Sequence, residues 1–433
     1  MKAKRILILT YYWPPSGGGG VQRWMYFAMY LKRYGFAPTV ITVHPDKASY
    51  PLIDASQLEL VNDIDTIQTT TIEPLKFYSF LKSGNSKKEI PYGSLGENSG
   101  GMMSKVASFI RANFFIPDAR KGWTKFAIKA AIGVLEKETF EWIITTGPPH
   151  STHQAGMKLS QQFGVKWLAD FRDPWSEIYY LKNAFRFNLA RRYDEKLEKK
   201  VLKNAFCITT VGPGMADLLK KKLTNPSKLH ILYNGYDSEM FEDIPDPIEK
   251  NKCFTISHFG LLGETQRFDR FVNSLKKASI MASKIKINLV GKVDKVHLHK
   301  LKSELPDIEL NHTGFMPRKD ALTLMKQSNL LLLCPPMIGE TKLIISTKTM
   351  EYLSIGVPVL GIGDEMSDAA MLVKQQSISG FFEPENEESI ARFISVSFLN
   401  WQLDKLDENT FDSKPYSRLS VTKELIEILK AKD

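Results

Sequence analysis

Short apolar runs, each long enough for a buried strand, recur between helical patterns along almost the whole chain, and this alternation limits the possible folds more than any other feature. Ile6 to Thr10, Thr39 to Val43, Trp142 to Thr145, Trp167 to Asp170, Cys207 to Val211 and Lys228 to Tyr233 form one series. Phe254 to Phe259, Ile285 to Val290, Ile308 to His312, Leu330 to Cys334 and Val357 to Ile362 form a second. Strand-length runs separated by helix-length segments predict parallel βαβ units, and two successive series predict two doubly wound α/β domains. Between the series lie the turn Asn234-Gly-Tyr-Asp237 and the acidic, proline-bearing stretch 242–249, which suit a linker. The expected division is therefore near residue 240, giving domains 1–240 and 241–412. An amphipathic pattern over Leu419 to Lys432, in a tail of about 413–433, is expected to pack back on the first domain. At 433 residues and 43% hydrophobic composition, the chain can fill both cores.

Charge and cysteine usage narrow the partners. Lysine and arginine outnumber the acids 58 to 48, a formal charge of +10, which favours anionic partners. Nucleotide diphosphates and an anionic membrane face fit that charge. Nucleic acid does not, because no helix-turn-helix, zinc or aromatic RNA-binding signature accompanies it. Cys207, Cys253 and Cys334 form no Cys-x-x-Cys pair, so neither a zinc knuckle nor a disulfide framework is expected, and a reducing cytoplasm fits. The N-terminal apolar run is too short for a signal-peptide core, and no run of about 18 apolar residues spans a membrane.

The chemistry-bearing residues cluster where strands end. After the first strand comes Tyr11-Tyr-Trp-Pro-Pro-Ser-Gly-Gly-Gly-Gly-Val-Gln22, then a helix from about Val21. Gly18, Gly19 and Gly20 remove Cβ atoms beside a helix start that offers N–H donors, an arrangement for a phosphate or sugar. The same glycines also suit a tight connection with no ligand, and they match neither Gly-x-Gly-x-x-Gly nor a Walker loop. Thr145-Thr-Gly-Pro-Pro-His-Ser-Thr-His-Gln154 and Trp167-Leu-Ala-Asp-Phe-Arg-Asp-Pro-Trp175 follow two further strands. His150, His153, Asp170, Arg172 and Asp173 thus converge over one cleft, as neutral imidazoles for sugar hydroxyls and a carboxylate as base or orienter, or else as an ion pair that pins a loop.

In the second series, Ser346-Thr-Lys-Thr-Met-Glu-Tyr-Leu-Ser-Ile-Gly356 predicts a helix over Thr347 to Ser354, capped by a left-handed Gly356 before an apolar strand. Its first turn faces the strand ends, where free N–H groups attract phosphate. Lys348 adds a positive charge there, and Glu351 can accept two hydroxyl bonds from a ribose or hexose. Gly260 and Gly263 allow close approach, Arg267 or Arg270 offers a planar fork to a diphosphate or stays solvated, and Gly291 and Gly314 are further strand-end glycines.

In this order the motifs resemble the retaining GT-B glycosyltransferases of family 4, the group 1 type, over nearly the whole chain. The resemblance rests on Gly17 to Val21, Val211-Gly-Pro-Gly-Met-Ala-Asp-Leu-Leu219, Tyr233-Asn-Gly-Tyr-Asp237, Gly260, Gly314 and Glu351 to Val359. Gly147-Pro-Pro-His-Ser-Thr-His153 and the Trp167 to Trp175 segment look like a bacterial surface-polysaccharide subgroup. The implied fold is α/β, with two Rossmann-like domains facing across a cleft. The implied activity is transfer of a hexose from a UDP- or GDP-linked sugar, with retention and no bound metal or other cofactor, to a glycan or lipid-linked acceptor. By resemblance, Asp170, His153 and Glu351 are catalytic, while Gly260, Arg267, Gly314, Phe315, Lys348, Thr349 and Glu351 hold the donor. Gly18, Gly19, Gly20, Val21, His150 and Arg172 form the acceptor or phosphate loop. The chain departs from the family at Leu343, where the first acid of Glu-x7-Glu is usual, and at Arg267-Phe-Asp-Arg270, where an arginine and a lysine precede a glycine. A GT-B epimerase and an inactive GT-B scaffold are the rival readings. Asp63-Ile-Asp65, the triplet that invites a metal reading, is expected to be a solvated loop face.

Met102, Val106, Phe109, Ile110 and Phe114 share one helical face, with Lys105 and Arg111 elsewhere. Such a basic amphipathic helix either lies at a membrane interface or docks on its own domain. The first alternative implies peripheral contact with the inner face of an anionic membrane.

Overall fold

The computed structural model describes residues 3–73, 102–182, 184–245, 251–405 and 409–431. Residues 83–101, whose Gly-, Ser-, Asn- and Lys-rich sequence reads as a loop, and the second half of the linker stretch 242–249 lie outside the described residues. The chain divides into two units, Met1–Tyr233 with Thr422–Asp433, and Asn234–Val421. The division falls a few residues before the expected position, at the Asn-Gly turn itself. Of the C-terminal tail, residues 413–421 stay with the second unit, while Thr422 onward joins the first.

The first unit carries a seven-stranded sheet. Its strands are β1 Lys4–Leu9, β2 Phe36–Val43, β3 Asp65–Thr69, β4 Trp142–Gly147, β5 Lys166–Phe171, β6 Cys207–Thr210 and β7 Leu229–Ile231. Their order is β3-β2-β1-β4-β5-β6-β7, and every pairing is parallel. Interior strands are buried along nearly their whole length, as continuous apolar runs covered on both faces require. The edge strand β3 gave no apolar run, because Asp65-Thr-Ile-Gln-Thr69 is half exposed and mixed in polarity. Asp65 is thus the first residue of a strand rather than part of a loop, with Thr39 Oγ1 donating to its carboxylate at 3.0 Å. Asp63 is paired with Lys32 on the surface at 2.8 Å. At the central strand Trp142 Nε1 donates to the Leu429 carbonyl at 3.1 Å, which ties the C-terminal helix Arg418–Lys430 to β4.

The second unit holds six parallel strands in the order β10-β9-β8-β11-β12-β13. They are β8 Phe254–Phe259, β9 Ile285–Val290, β10 Glu309–Gly314, β11 Leu330–Leu333, β12 Val359–Ile362 and β13 Gly380–Phe382. The three-residue β13 was too short to register as a run. One core, including Phe254, Ile256, Phe268, Phe271, Leu332 and Ile394, lies under this sheet.

In each sheet the strand order reverses beside the first strand, between β1 and β4 and between β8 and β11. Ligands of doubly wound folds bind beyond the carboxyl ends of the strands at such a reversal. Among the described residues, no helix is long and apolar enough to cross a membrane.

Candidate functional site

At the first reversal the glycine-rich turn after β1 meets the Gly-Pro-Pro-His turn after β4. Gly18, at φ 95°, precedes helix Gly19–Arg33, whose start has neither a side-chain cap nor an acid in its first turn. Val21 is buried, while Gly18, Gly19 and Gly20 are exposed. The two turns are joined by Arg172, whose guanidinium donates to the carbonyls of Gly20, Gly147 and Pro148. A Cβ on Gly20 would meet that guanidinium, so a side chain there would displace Arg172 from the two turns. Arg172 is a strap for both turns.

Asp170 lies beneath this surface and is fully buried. Its neighbours across the sheet are Thr146 on β4 and Thr209 on β6, in direct register. Both hydroxyls donate to it, at 2.9 and 2.7 Å. Arg23 Nη2 donates at 2.8 Å and Trp24 Nε1 at 2.6 Å, both from helix Gly19–Arg33. Burial pushes the Asp170 carboxyl upward, but Arg23 and the other donors outweigh it and hold the group below the usual carboxylate range. With its lone pairs taken, this carboxylate fastens the glycine-rich helix to the sheet and presents no free oxygen to a substrate. The expected convergence of Asp170 with the histidines therefore occurs in depth rather than on one open surface.

The histidines are set in the same tautomer by their neighbours. Trp167 Nε1 donates to Thr145 Oγ1 at 2.8 Å, and that hydroxyl lies 2.9 Å from His153 Nδ1. The hydroxyl proton has no other acceptor among the described residues, so Thr145 donates to Nδ1, which assigns the His153 ring proton to Nε2. His150 Nε2 lies 3.3 Å from the Pro174 carbonyl, an acceptor only, so His150 keeps its lone pair on Nδ1. His153 Nε2 and His150 Nδ1 are buried without a hydrogen-bond partner. A Cβ on Gly147 would stand 2.6 Å from the first and 2.7 Å from the second. A side chain on Gly147 would therefore press on both buried rings, so the turn after β4 lies against the histidines by close backbone approach.

Burial pushes both imidazoles toward the neutral form, His153 down to about 3 and His150 well below the ordinary histidine value. In the unfolded chain each regains a value near about 6.5, so the unfolded state takes up protons first. Stability present above about pH 6.5 is therefore lost as pH falls toward about 3. Thermal melts between neutrality and mild acid should show the midpoint falling, with His153→Gln flattening the slope. An unchanged slope in the variant would remove His153 from this linkage.

At the second reversal, helix Thr347–Ile355 follows β11 and ends at Gly356, φ 81°, the left-handed cap expected. Tyr352, fully buried, accepts from the Phe259 N–H at 2.9 Å and so locks the helix to the end of β8. The next residue, Gly260, has φ 95°, and a Cβ on it would lie 3.3 Å from Lys348 Cδ. Bare backbone thus lies along the Lys348 stem. Gly291 N donates to the Gly314 carbonyl at 2.6 Å, which joins the ends of β9 and β10, and Phe315 beyond it is 94% exposed.

The Lys348 ammonium touches only the Leu261 carbonyl, at 3.4 Å. Among the described residues it has no carboxylate within ion-pair distance. Burial lowers its proton affinity, against the opposing pull of Cys334 and Glu351. Glu351 is buried and accepts from Arg318 Nη2 at 2.6 Å, a partner that no local pattern marks because it lies 33 residues away in sequence. Thr349 is buried, and its N–H bonds the Ser346 side chain at 3.2 Å, so it belongs to the helix cap. Arg267 is engaged by Asp269 and Glu385, at 3.1 and 3.3 Å, and Arg270 by Glu387 at 2.9 Å. These arginines are thus part of an ion-pair network, and Arg267 follows directly on Gln266, whose Nε2 donates to the same Leu261 carbonyl that Lys348 contacts. Beyond β11 and β12 lies a cavity of about 150 Å³ lined by Pro335, Pro336, Met337, Gly339, Lys342 and Ser367.

No protein-family model and no curated protein matches the chain. Solved structures do match over almost all of it. A glycosyltransferase from Rickettsia africae superposes with a TM-score of 0.62 at 14% identity, covering 99% of this chain and 98% of that one. Sucrose-phosphate synthase from Thermosynechococcus elongatus gives 0.60 at 13%, covering 98% and 94%. Anabaena HepE in complex with UDP and glucose gives 0.58 at 13%, covering 98% and 99%. The fold is that of these GT-B structures.

Proposed function

We propose that the chain is a retaining glycosyltransferase that moves a hexose from a UDP- or GDP-linked sugar to a glycan or lipid-linked acceptor, in cell-surface polysaccharide synthesis. The observation that carries this reading is Lys348, a half-buried cation without a carboxylate partner, held against bare backbone at the strand-order reversal of the second sheet. A diphosphate is the anion that such a cation and the N–H groups of helix Thr347–Ile355 would hold together. Glu351, steadied by Arg318, would accept hydroxyls of the ribose or hexose, and Phe315 would lie against the base. Negative charge grows on the leaving diphosphate as the sugar bond breaks, so a fixed ammonium stabilises the transition state more than the bound donor. In the first unit the turn that carries His150 and His153 would lie beside the acceptor or the reacting sugar. Asp170 acts behind them by fixing the glycine-rich helix. HepE, with its UDP and glucose, supports a nucleotide-sugar donor.

A thermal-shift panel of UDP-, GDP- and ADP-glucose on the wild type and Glu351→Ala tests the donor site directly. One nucleotide class should stabilise the wild type by about 2.7 kcal/mol at a hundredfold excess over Kd, and the variant should lose that shift. A wild type indifferent to all of them has no preformed donor site, and the transferase reading then fails.

A further inference from the structure

The first unit displays large apolar side chains in a way that looks fixed rather than loose. Phe185 is 73% exposed, Leu189 81% and Phe114 62%, with Phe187 and Tyr193 also exposed. The backbone beneath them is held from both sides. Asn113, on helix Met102–Phe114, donates to the Phe185 carbonyl at 2.9 Å and accepts from the Phe187 N–H at 2.7 Å. Between them Arg186 turns inward, to the Ala112 carbonyl at 2.9 Å and to Asp194 at 2.6 Å. With Arg186 pinned inside, Phe185 and Phe187 on either side of it are exposed. Phe109 sets their angle, stacked on Phe185 at 6.0 Å and edge-on to Phe187 at 5.4 Å.

Helix Asn188–Asn204, which follows directly, sorts its charges by face. Asp194 and Glu198 are buried, bonded to Arg186 and Lys222. Leu189, Arg192, Tyr193, Lys196 and Lys200 form one exposed stripe at helical spacing. Asp194 and Glu198 face the core, Glu195 pairs with Arg191 at the surface at 3.8 Å, and the remaining bases face solvent, so a basic strip borders the apolar display. Between two copies related by a two-fold axis this strip would oppose itself or its neighbour with like charge, whereas an anionic surface meets both parts at once.

We propose that Phe114, Phe185, Phe187 and Leu189 enter the interfacial layer of an anionic phospholipid bilayer while Arg192, Lys196 and Lys200 meet its phosphates. The membrane surface is built chiefly by the Phe185–Phe187 turn and the following helix, with helix Met102–Phe114 as its support. Trp175 couples it to the candidate site, since its Nε1 donates to Asp194 at 2.7 Å and its ring stacks on His150 at 5.0 Å. Docking would place that site beside the bilayer, where a lipid-linked acceptor resides. The binding itself does not depend on the donor assignment.

Flotation of the full chain with phosphatidylcholine vesicles, with and without phosphatidylglycerol, tests the proposal. The wild type should float with the anionic vesicles only and be released by high salt. Phe185→Ser, Phe187→Ser and Leu189→Ser combined should weaken binding about a hundredfold or more, with the melting midpoint lowered by only a few degrees through loss of the ring contacts with Phe109. Neutralising Arg192, Lys196 and Lys200 to glutamine should cost on the order of fivefold per charge. Absence of the wild type from anionic vesicles would overturn the proposal, as would flotation indifferent to the triple variant. A wild-type dimer in sedimentation that the triple variant abolishes, without vesicle binding, would instead assign the patch to a second copy of the chain.

Discussion

Asp170→Ala is expected to destabilise the first unit by about 3–5 kcal/mol, the cost of breaking a buried ion pair from one side. For a unit of this size that corresponds to a fall of roughly 10 °C in melting midpoint. Removing the carboxylate leaves Arg23 charged in the interior, with the Leu232 and Tyr233 carbonyls, at 2.7 and 3.2 Å, among its remaining partners. It also strands the Trp24 N–H and the hydroxyls of Thr146 and Thr209, each of which then bears a desolvation cost. Asp170→Asn keeps the shape but turns an N–H toward groups that already donate, so it should fall between. The carboxyl is held below its usual range, so its stabilisation is present above the unfolded value of about 3.9 and is lost as pH falls through the folded one. The deciding measurement is paired melting and turnover. A variant that melts like the wild type yet transfers no sugar would return Asp170 to direct contact with substrate.

What the sequence revealed and what it hid divide along the reach of the interactions. Helix Thr347–Ile355, its cap at Gly356 and the placement of Lys348 and Glu351 one turn apart depend on neighbours within a few residues, and they could be read directly. The seven- and six-stranded parallel sheets followed from apolar runs, except β3 and β13, whose edge position and short length remove the continuous burial that makes such runs visible. The role of Asp170 was hidden because its partners come from helix Gly19–Arg33, 147 residues away, and from strands brought alongside only by folding. Arg267 and Arg270 look free along the chain and are engaged by Glu385 and Glu387 in space. The histidine proton states depend on Trp167 and Pro174, which no spacing rule connects to the Gly-Pro-Pro-His turn.

Lys348→Ala should separate function from stability in the opposite direction to Asp170→Ala. An ammonium drawn out of water and given only one long contact, 3.4 Å to a carbonyl, contributes little to the fold and carries a desolvation cost. Its removal is expected to leave the melting midpoint of the second unit unchanged or slightly higher, the mark of a group kept for its activity. Turnover with the nucleotide sugar should fall about a hundredfold or more, in the range seen when a charge-stabilising donor is lost from a transition state. The loss should appear mainly in kcat, because the diphosphate gains charge as the sugar bond breaks. Lys348→Arg should restore only part of the rate, since a planar fork does not fit the space beside Gly260 as a point charge does. Full activity of Lys348→Ala would remove this residue from the donor site. A drop in stability that matched the drop in turnover would make it a packing residue whose loss disturbs the rim.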